Sequence, residues 1–183
     1  MFYVFPRVIN SDVCIQIVKD CKSNILENAS IVDSNNKNRD DPRVRKTSIH
    51  FIKDKDNKIN ELAWHFLREA NKIQFNYDLE YFQAIQFAEY KNGGFYGWHQ
   101  DDIGIDKSNE IRKLSLTLTL SDPDTFEGGE LQFYNGNRPM EDMGEITGEQ
   151  VKKDLQAQGT IVVFDARDWH RVCPVTDGVR HSI

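Results

Sequence analysis

The chain is poor in residues that staple or break a fold, with three cysteines and five prolines among 183 residues. A small, odd cysteine count excludes a disulfide framework. Cys14 and Cys21 share one helical stretch, about 10 Å apart along its axis, beyond the roughly 7 Å Cα span of a bridge. With Cys173 standing alone, all three read as small hydrophobes of a reducing cytoplasm. No run of apolar residues reaches membrane-spanning length. The opening stretch, Met1–Arg7, lacks the basic-then-apolar arrangement of a secretory leader. Basic charge is also scarce: 23 Lys and Arg against 29 Asp and Glu give a net charge of −6. That balance excludes a sequence-independent grip on nucleic-acid backbones, which needs clustered cations; a nucleotide held in a local pocket stays open. Hydrophobic residues at 39% and aromatics at 11% suffice for one core at single-domain size.

Residues 1–80 read mainly as helix. Ser11 is the expected N-cap of a helix whose apolar positions are Cys14, Ile17, Val18, Cys21 and Ile25. A polar turn-rich stretch, Asp33–Pro42, follows, then a short strand over Lys46–Ile52. Ile59, Leu62, Ala63, Phe66, Leu67, Ala70 and Ile73 form the stripe of a second helix over Ile59–Tyr77. His65 is expected beside that stripe as a partly buried structural residue. From Tyr81 the period becomes two: Tyr81–Tyr90 and Leu114–Leu120 alternate. Shorter strands are expected at Glu130–Tyr134, Thr160–Asp165, Arg171–Val175 and Val179–Ile183, interrupted by polar insertions at Gly104–Glu110 and Asn135–Gln158. Helices first and strands later predict a mostly β, α+β domain over 1–183: a helical support region at 1–80 packed on a β-sandwich or open barrel at 81–183.

The chemistry concentrates in Tyr90–Asp102. On a strand His99 and Asp101 leave the same face. His170, just after the apolar strand Thr160–Phe164, is the best third member on a neighbouring strand. Two imidazoles and one carboxylate on one side of an ion make the facial triad of non-haem Fe(II) oxygenases. Arg180 and Ser182 again share a strand face, and a guanidinium beside a hydroxyl suits bidentate capture of a carboxylate. An anionic ligand would account for an arginine aimed into a barrel.

With these residues in order, the chain resembles the Fe(II)/2-oxoglutarate-dependent dioxygenases of the prolyl 4-hydroxylase-like branch. The resemblance covers about the last hundred residues: Tyr90, Gly94, His99-Gln-Asp101, Leu114–Leu120, Phe126–Leu131, Gly159–Phe164, His170 and Gly178–Ser182. It implies a double-stranded β-helix (jelly roll) buttressed by helices. It implies His99, Asp101 and His170 as iron ligands, and Arg180, assisted by Ser182 and Tyr90, as the anchor of the distal 2-oxoglutarate carboxylate. Animal prolyl hydroxylases commonly place Lys at that anchor, so Arg resembles bacterial and phage variants; the Asn, Lys and Ile content suits such an AT-rich genome, and the cytoplasm would then be a host's. The implied cofactors are Fe(II), 2-oxoglutarate and O2, with ascorbate as a reductant. The implied activity is hydroxylation of a prolyl residue in a protein or peptide, with release of succinate and CO2. Family members usually continue into a last strand where this chain stops, at Ile183.

Several residues are weighed against plainer roles. Asp102 is a rival ligand, but on a strand it faces away from His99. Gly128-Gly129 is expected to make a tight turn rather than touch a cofactor. Trp98 and Trp169 are core by default, and Thr117 and Thr119 are expected to point into the barrel. Arg43–Lys46 reads as a solvated strand edge, and His50 and His181 as structural or exposed, His181 facing away from the pocket. The rivals to a hydroxylase are a nucleic-acid demethylase, a small-molecule oxygenase, a zinc hydrolase and a non-catalytic jelly-roll binding module.

Overall fold

The computed structural model describes residues 2–24, 26–32, 38–39, 41–52, 58–102, 111–134 and 155–183. Ile25, most of the polar stretch 33–42 and the insertions at 104–110 and 135–154 lie outside them. Fourteen strands are described: β1 (Phe2–Phe5), β2 (Glu27–Asn28), β3 (Ile31–Val32), β4 (Asn38–Arg39), β5 (Arg45–Lys46), β6 (Ser48–Ile52), β7 (Ile85–Lys91), β8 (Phe95–His99), β9 (Leu114–Leu118), β10 (Phe126–Gly128), β11 (Leu131–Tyr134), β12 (Ile161–Asp165), β13 (Trp169–Val172) and β14 (Val175–Ser182). Two α-helices, α1 (Ser11–Lys22) and α2 (Lys58–Ala70), accompany them. Every named pairing is antiparallel, in the orders β1-β12-β9, β10-β14-β7-β6-β2, β11-β13-β8-β5 and β3-β4.

The first two groups act as one sheet. Leu118 and Ile183 exchange backbone hydrogen bonds at 2.8 and 3.0 Å, and Leu120 N–H donates to the His181 carbonyl, so β9 continues the ladder of β14. Alternation then sorts the side chains. Phe87 on β7, Leu118 on β9 and Ile161 and Val163 on β12 join Cys14, Ile17 and Cys21 of α1 and Ala63, Leu67 and Ala70 of α2 in one cluster. Ala88, Tyr90, Val162 and Phe164 point the other way, into a second cluster shared with Leu131 and Val172 of the smaller sheet. The helices thus cover one face of the large sheet, and the interior between the two sheets is left for the site.

Several expectations are corrected. The N-terminal eighty residues are not mainly helical: β1 pairs with β12 and β6 with β7, long-range partnerships that local periodicity does not report. Asn10, not Ser11, caps α1; its side-chain oxygen accepts from Asp12 N–H. The second helix ends its α-register at Ala70 and continues as a π-helical turn, Asn71–Phe75. The wider turn breaks the 3.6 period, which leaves Ile73 58% exposed. His65 is exposed, edge-on to Phe66. Tyr81–Ala84 lies outside β7, and the single expected strand Arg171–Val175 is divided between β13 and β14. Gly159 (φ +78) is required by close approach, since a Cβ there would stand 1.9 Å from the Ile9 carbonyl oxygen. Cys14 and Cys21 are buried and unbridged, and burial pushes both thiols up to about 11.

Candidate metal centre and anion pocket

The centre is built where β8 and β13 pair. His99 and His170 are direct cross-strand partners, with ring centres 4.1 Å apart. Each Nδ1 faces a backbone carbonyl, Gly97 O at 2.8 Å and Asp168 O at 2.9 Å. A carbonyl can only accept, so each Nδ1 carries the proton and each Nε2 presents a lone pair. Asp101 follows just beyond the end of β8, with its N–H and that of Asp102 both donating to the Ala166 carbonyl (2.8 and 3.0 Å) in the turn between β12 and β13. That pinch turns the Asp101 carboxylate toward both imidazoles: Oδ1 is 3.5 Å from His99 Nε2 and Oδ2 is 3.7 Å from His170 Nε2. One ligand atom from each residue lies within 4.8 Å of the others. Ser115 on β9 donates to Asp101 Oδ2 at 2.5 Å, fixing the carboxylate from the large sheet.

The electrostatics suit a divalent transition metal. Burial alone would raise the Asp101 pKa, but the two neighbouring imidazoles, His99 first, and the Ser115 hydroxyl outweigh it and hold the carboxyl well below its usual range. Burial, helped by His99, pushes His170 down to about 4 against the pull of Asp101. Neutral imidazole nitrogen and ionised carboxylate are the protonation states ligation requires. Two nitrogens and one oxygen on one side of a shared point also match the donor set of non-haem Fe(II).

A cation sits deeper, on the facing sheet. Arg180 pairs with Tyr90, and Ser182 with Ala88, across β14 and β7. Arg180 is 2% exposed; its Nη1 donates to Ser182 Oγ at 3.2 Å, and the guanidinium lies over the Tyr90 ring at 5.4 Å. Burial lowers its pKa, and it forms no ion pair among the described residues. Gly129 (φ +67) makes room for it, because a Cβ there would meet Arg180 Cδ at 2.8 Å. The Gly128-Gly129 turn therefore packs against the guanidinium stem.

Other candidates take plainer positions. Asp102 is not part of the ligand cluster. His181 faces the opposite side of β14 from Arg180, stacked on Phe87 and bonded to Ser121 and Glu89. Thr117 Oγ1 donates to the Ile183 carbonyl and Thr119 Oγ1 to the Leu155 carbonyl. Trp98 lies against Tyr134 and under Arg171. Within Arg43–Lys46 the reading as a solvated edge fails at one residue: Arg45 is buried.

The sequence offers Tyr96 only within the aromatic run Phe95–Trp98, a surface on which a proline ring could stack; what it does not foretell is that Tyr96 stacks on His99, with ring centres 3.5 Å apart and 11° between planes. An odd separation puts two strand residues on opposite faces, yet here two residues of β8, Gly97 and Trp98, oppose one of β13, Arg171: His170 pairs with His99 and Val172 with Tyr96, with the register shifting between them. This β-bulge returns Tyr96 to the ligand face. The Gly at position 97, inside a strand pattern, was the available signal.

Residues 85–183 match the family model of the 2OG-Fe(II) oxygenase superfamily. The chain is 38% identical over 98 residues to a PKHD-type hydroxylase of Teredinibacter turnerae, covering 52% of this chain and 38% of that protein. It is 32% identical over 127 residues to one of Synechococcus, covering 68% and 51%. It thus spans about half or less of the length of these curated relatives. Among solved structures it resembles a Pseudomonas putida prolyl-4-hydroxylase (TM-score 0.68, 21% identity, 99% and 89% of the two chains). It also resembles a Trichoplax adhaerens prolyl hydroxylase solved with a hypoxia inducible factor peptide fragment (TM-score 0.71, 18% identity, 99% and 80%). These likenesses establish the jelly-roll fold, and the family implies Fe(II), 2-oxoglutarate and O2 as cofactors. The family match, extending across the elements that carry the ligand cluster and the buried arginine, shows that this chain belongs to the 2OG-Fe(II) oxygenase superfamily.

Proposed function

We propose that the protein is an Fe(II)- and 2-oxoglutarate-dependent hydroxylase acting on a prolyl residue of a protein or peptide, with residues 1–183 forming one catalytic domain that works in a cytoplasm. The observation that carries the reading is the convergence of His99, Asp101 and His170, with a buried guanidinium on the facing sheet that forms no ion pair among the described residues. No described helix is long and apolar enough to cross a membrane.

In this reading His99 Nε2, Asp101 and His170 Nε2 hold the metal. Arg180, with the Ser182 hydroxyl and the Tyr90 phenol, takes the distal carboxylate of 2-oxoglutarate. Bound there, ferrous iron with 2-oxoglutarate and O2 supplies the oxidation that converts a substrate C–H to C–OH and releases succinate and CO2, and ascorbate serves as reductant. The chain's own work is geometric. The Gly97 and Asp168 carbonyls keep both imidazoles in the ligating tautomer. Ser115 and the Ala166 carbonyl aim Asp101. Phe164 and Phe133 crowd His170 and keep its surroundings dry. The prolyl target is supported by the structural neighbours, which are prolyl hydroxylases.

The test is mass spectrometry of a peptide panel, with and without proline, incubated with Fe(II), O2 and 2-oxoglutarate. A product one oxygen atom heavier, confined to proline-containing peptides and matched by succinate, is expected. Succinate formed without any modified peptide would refute the prolyl assignment, and iron binding without succinate would favour a binding module.

A further inference from the structure

The interior holds a second buried arginine that this reading leaves without a task. Arg45 on β5 is 7% exposed and pairs across the strand with Tyr96. Its guanidinium lies 4.3 Å from the centre of the Tyr96 ring, which in turn stacks on His99. One terminal nitrogen donates to Gln86 Oε1 at 2.5 Å, while Nε is buried with no hydrogen-bond partner. A third arginine reaches the same space: Arg112 has Nη1 3.8 Å from Asp101 Oδ1 and donates through Nη2 to Gln83. Burial raises the Tyr96 pKa, and Arg45 and Arg112 both pull it back, which puts the phenol within the field of both cations.

A buried guanidinium bonded to a neutral amide, with its Nε idle, is costly unless an anion completes it. On the oxygenase reading, the ferrous ion, Arg180, Asp101 and the 2-oxoglutarate dianion cancel one another. Arg45 and Arg112 are left over beside the ligand cluster: among the described residues Arg45 forms no ion pair, and the one carboxylate near Arg112 is that of Asp101, already counted against the metal. We infer that the substrate supplies a carboxylate next to the reacting carbon, held between Arg45 and Arg112. Its source is either an acidic side chain adjoining the target residue or the terminal carboxylate of a free amino acid or chain end. This inference rests on the proposed function and narrows its substrate class.

The test is calorimetric titration of the full chain loaded with Mn(II) and 2-oxoglutarate, with matched acetylated probes. One set compares Xaa-Glu-amide with Xaa-Gln-amide; the other compares Xaa with a free carboxylate against Xaa-amide. Xaa is Pro, Leu, Lys or Asn in each. The acidic member of one set is expected to bind at least about tenfold tighter than its neutral match, and the responding set identifies the source. That preference should collapse in Arg45→Met and in Arg112→Met and persist in part in Arg45→Lys, which keeps the charge should Arg45→Met fold poorly. Equal binding of acid and amide throughout, binding of neither, or an unchanged preference in Arg45→Lys and Arg112→Met would overturn the inference, with Mn(II) and 2-oxoglutarate binding intact. Failure of the wild-type chain to bind Mn(II) and 2-oxoglutarate would overturn the proposed function and this inference together.

Discussion

Replacing Arg180 by methionine separates a ligand-binding role from a structural one, because the two predict opposite signs in stability. The guanidinium is 2% exposed, and its close compensation is one hydrogen bond to Ser182 and the face of Tyr90, with Glu130 acting on it from beyond ion-pair distance. Those contacts are worth about 1 kcal/mol for the hydrogen bond and about 2 kcal/mol for the ring when desolvated. Burying an unmatched charge costs several kcal/mol even after relaxation. Methionine fills similar space without charge, so the ligand-free variant should be as stable as the parent or up to about 3 kcal/mol more stable. For a chain of this size that is a rise in melting temperature of up to about 10 °C. Binding should move the other way. Removing one partner of a buried charge pair costs about 2–5 kcal/mol, so the dissociation constant for 2-oxoglutarate should rise by roughly thirtyfold to several thousandfold. Differential scanning calorimetry of the metal-free protein and titration of 2-oxoglutarate into the Mn(II)-loaded protein measure the two effects. A variant that melts well below the parent yet binds 2-oxoglutarate normally would show Arg180 to be a structural cation.

Three further outcomes are expected. His99→Ala and Asp101→Ala should abolish tight Mn(II) binding, whereas Asp102→Ala should retain it, as read by electron paramagnetic resonance of the free ion. Acid should destabilise the metal-free protein: His170 is held near 4 against an ordinary 6.5, so the unfolded chain binds more protons between those values, and stability present above about 6.5 is lost as pH falls toward 4, by about 3 kcal/mol. His170→Gln should flatten that slope, and a slope that survives the substitution assigns it elsewhere. Gly129→Ala should weaken 2-oxoglutarate about tenfold while leaving Mn(II) binding alone, since its Cβ would press on Arg180 Cδ at 2.8 Å from a backbone at φ +67; unaltered 2-oxoglutarate affinity would show that the arginine has slack.

What could be read from the sequence was what depends on short-range pattern. Alternation along Leu114–Leu120 separates the face that meets the helices from the face bearing Ser115 and Thr117. The spacing of Arg180 and Ser182 puts them on one face because β14 is regular there. Features set by distant partners were not legible. Phe2–Phe5 becomes a strand only by lying against β12. Arg45 is buried by Tyr96 and Gln86, residues forty and more positions away, so a locally basic segment looked solvated. The π-helical turn is anchored by the Asn71 side chain, which bonds both the N–H and the carbonyl of Tyr77, a contact no hydrophobic count detects.

The site itself follows from two strand registers. In one sheet His170 stands opposite His99; in the other Arg180 stands opposite Tyr90. A slip of one residue in either ladder would turn the ligand or the cation to the outer face, so folding specificity and chemistry depend on the same pairings. The register shifts fall at the edges of this arrangement, between His170 and Val172 and between Glu127 and Gly128. The first brings Tyr96 beneath His99; the second leads into the glycine turn that packs on Arg180. Each bulge spends regular pairing to aim a side chain. That links the two irregular places in the described sheets to the two groups, metal and carboxylate, that the proposed site would hold.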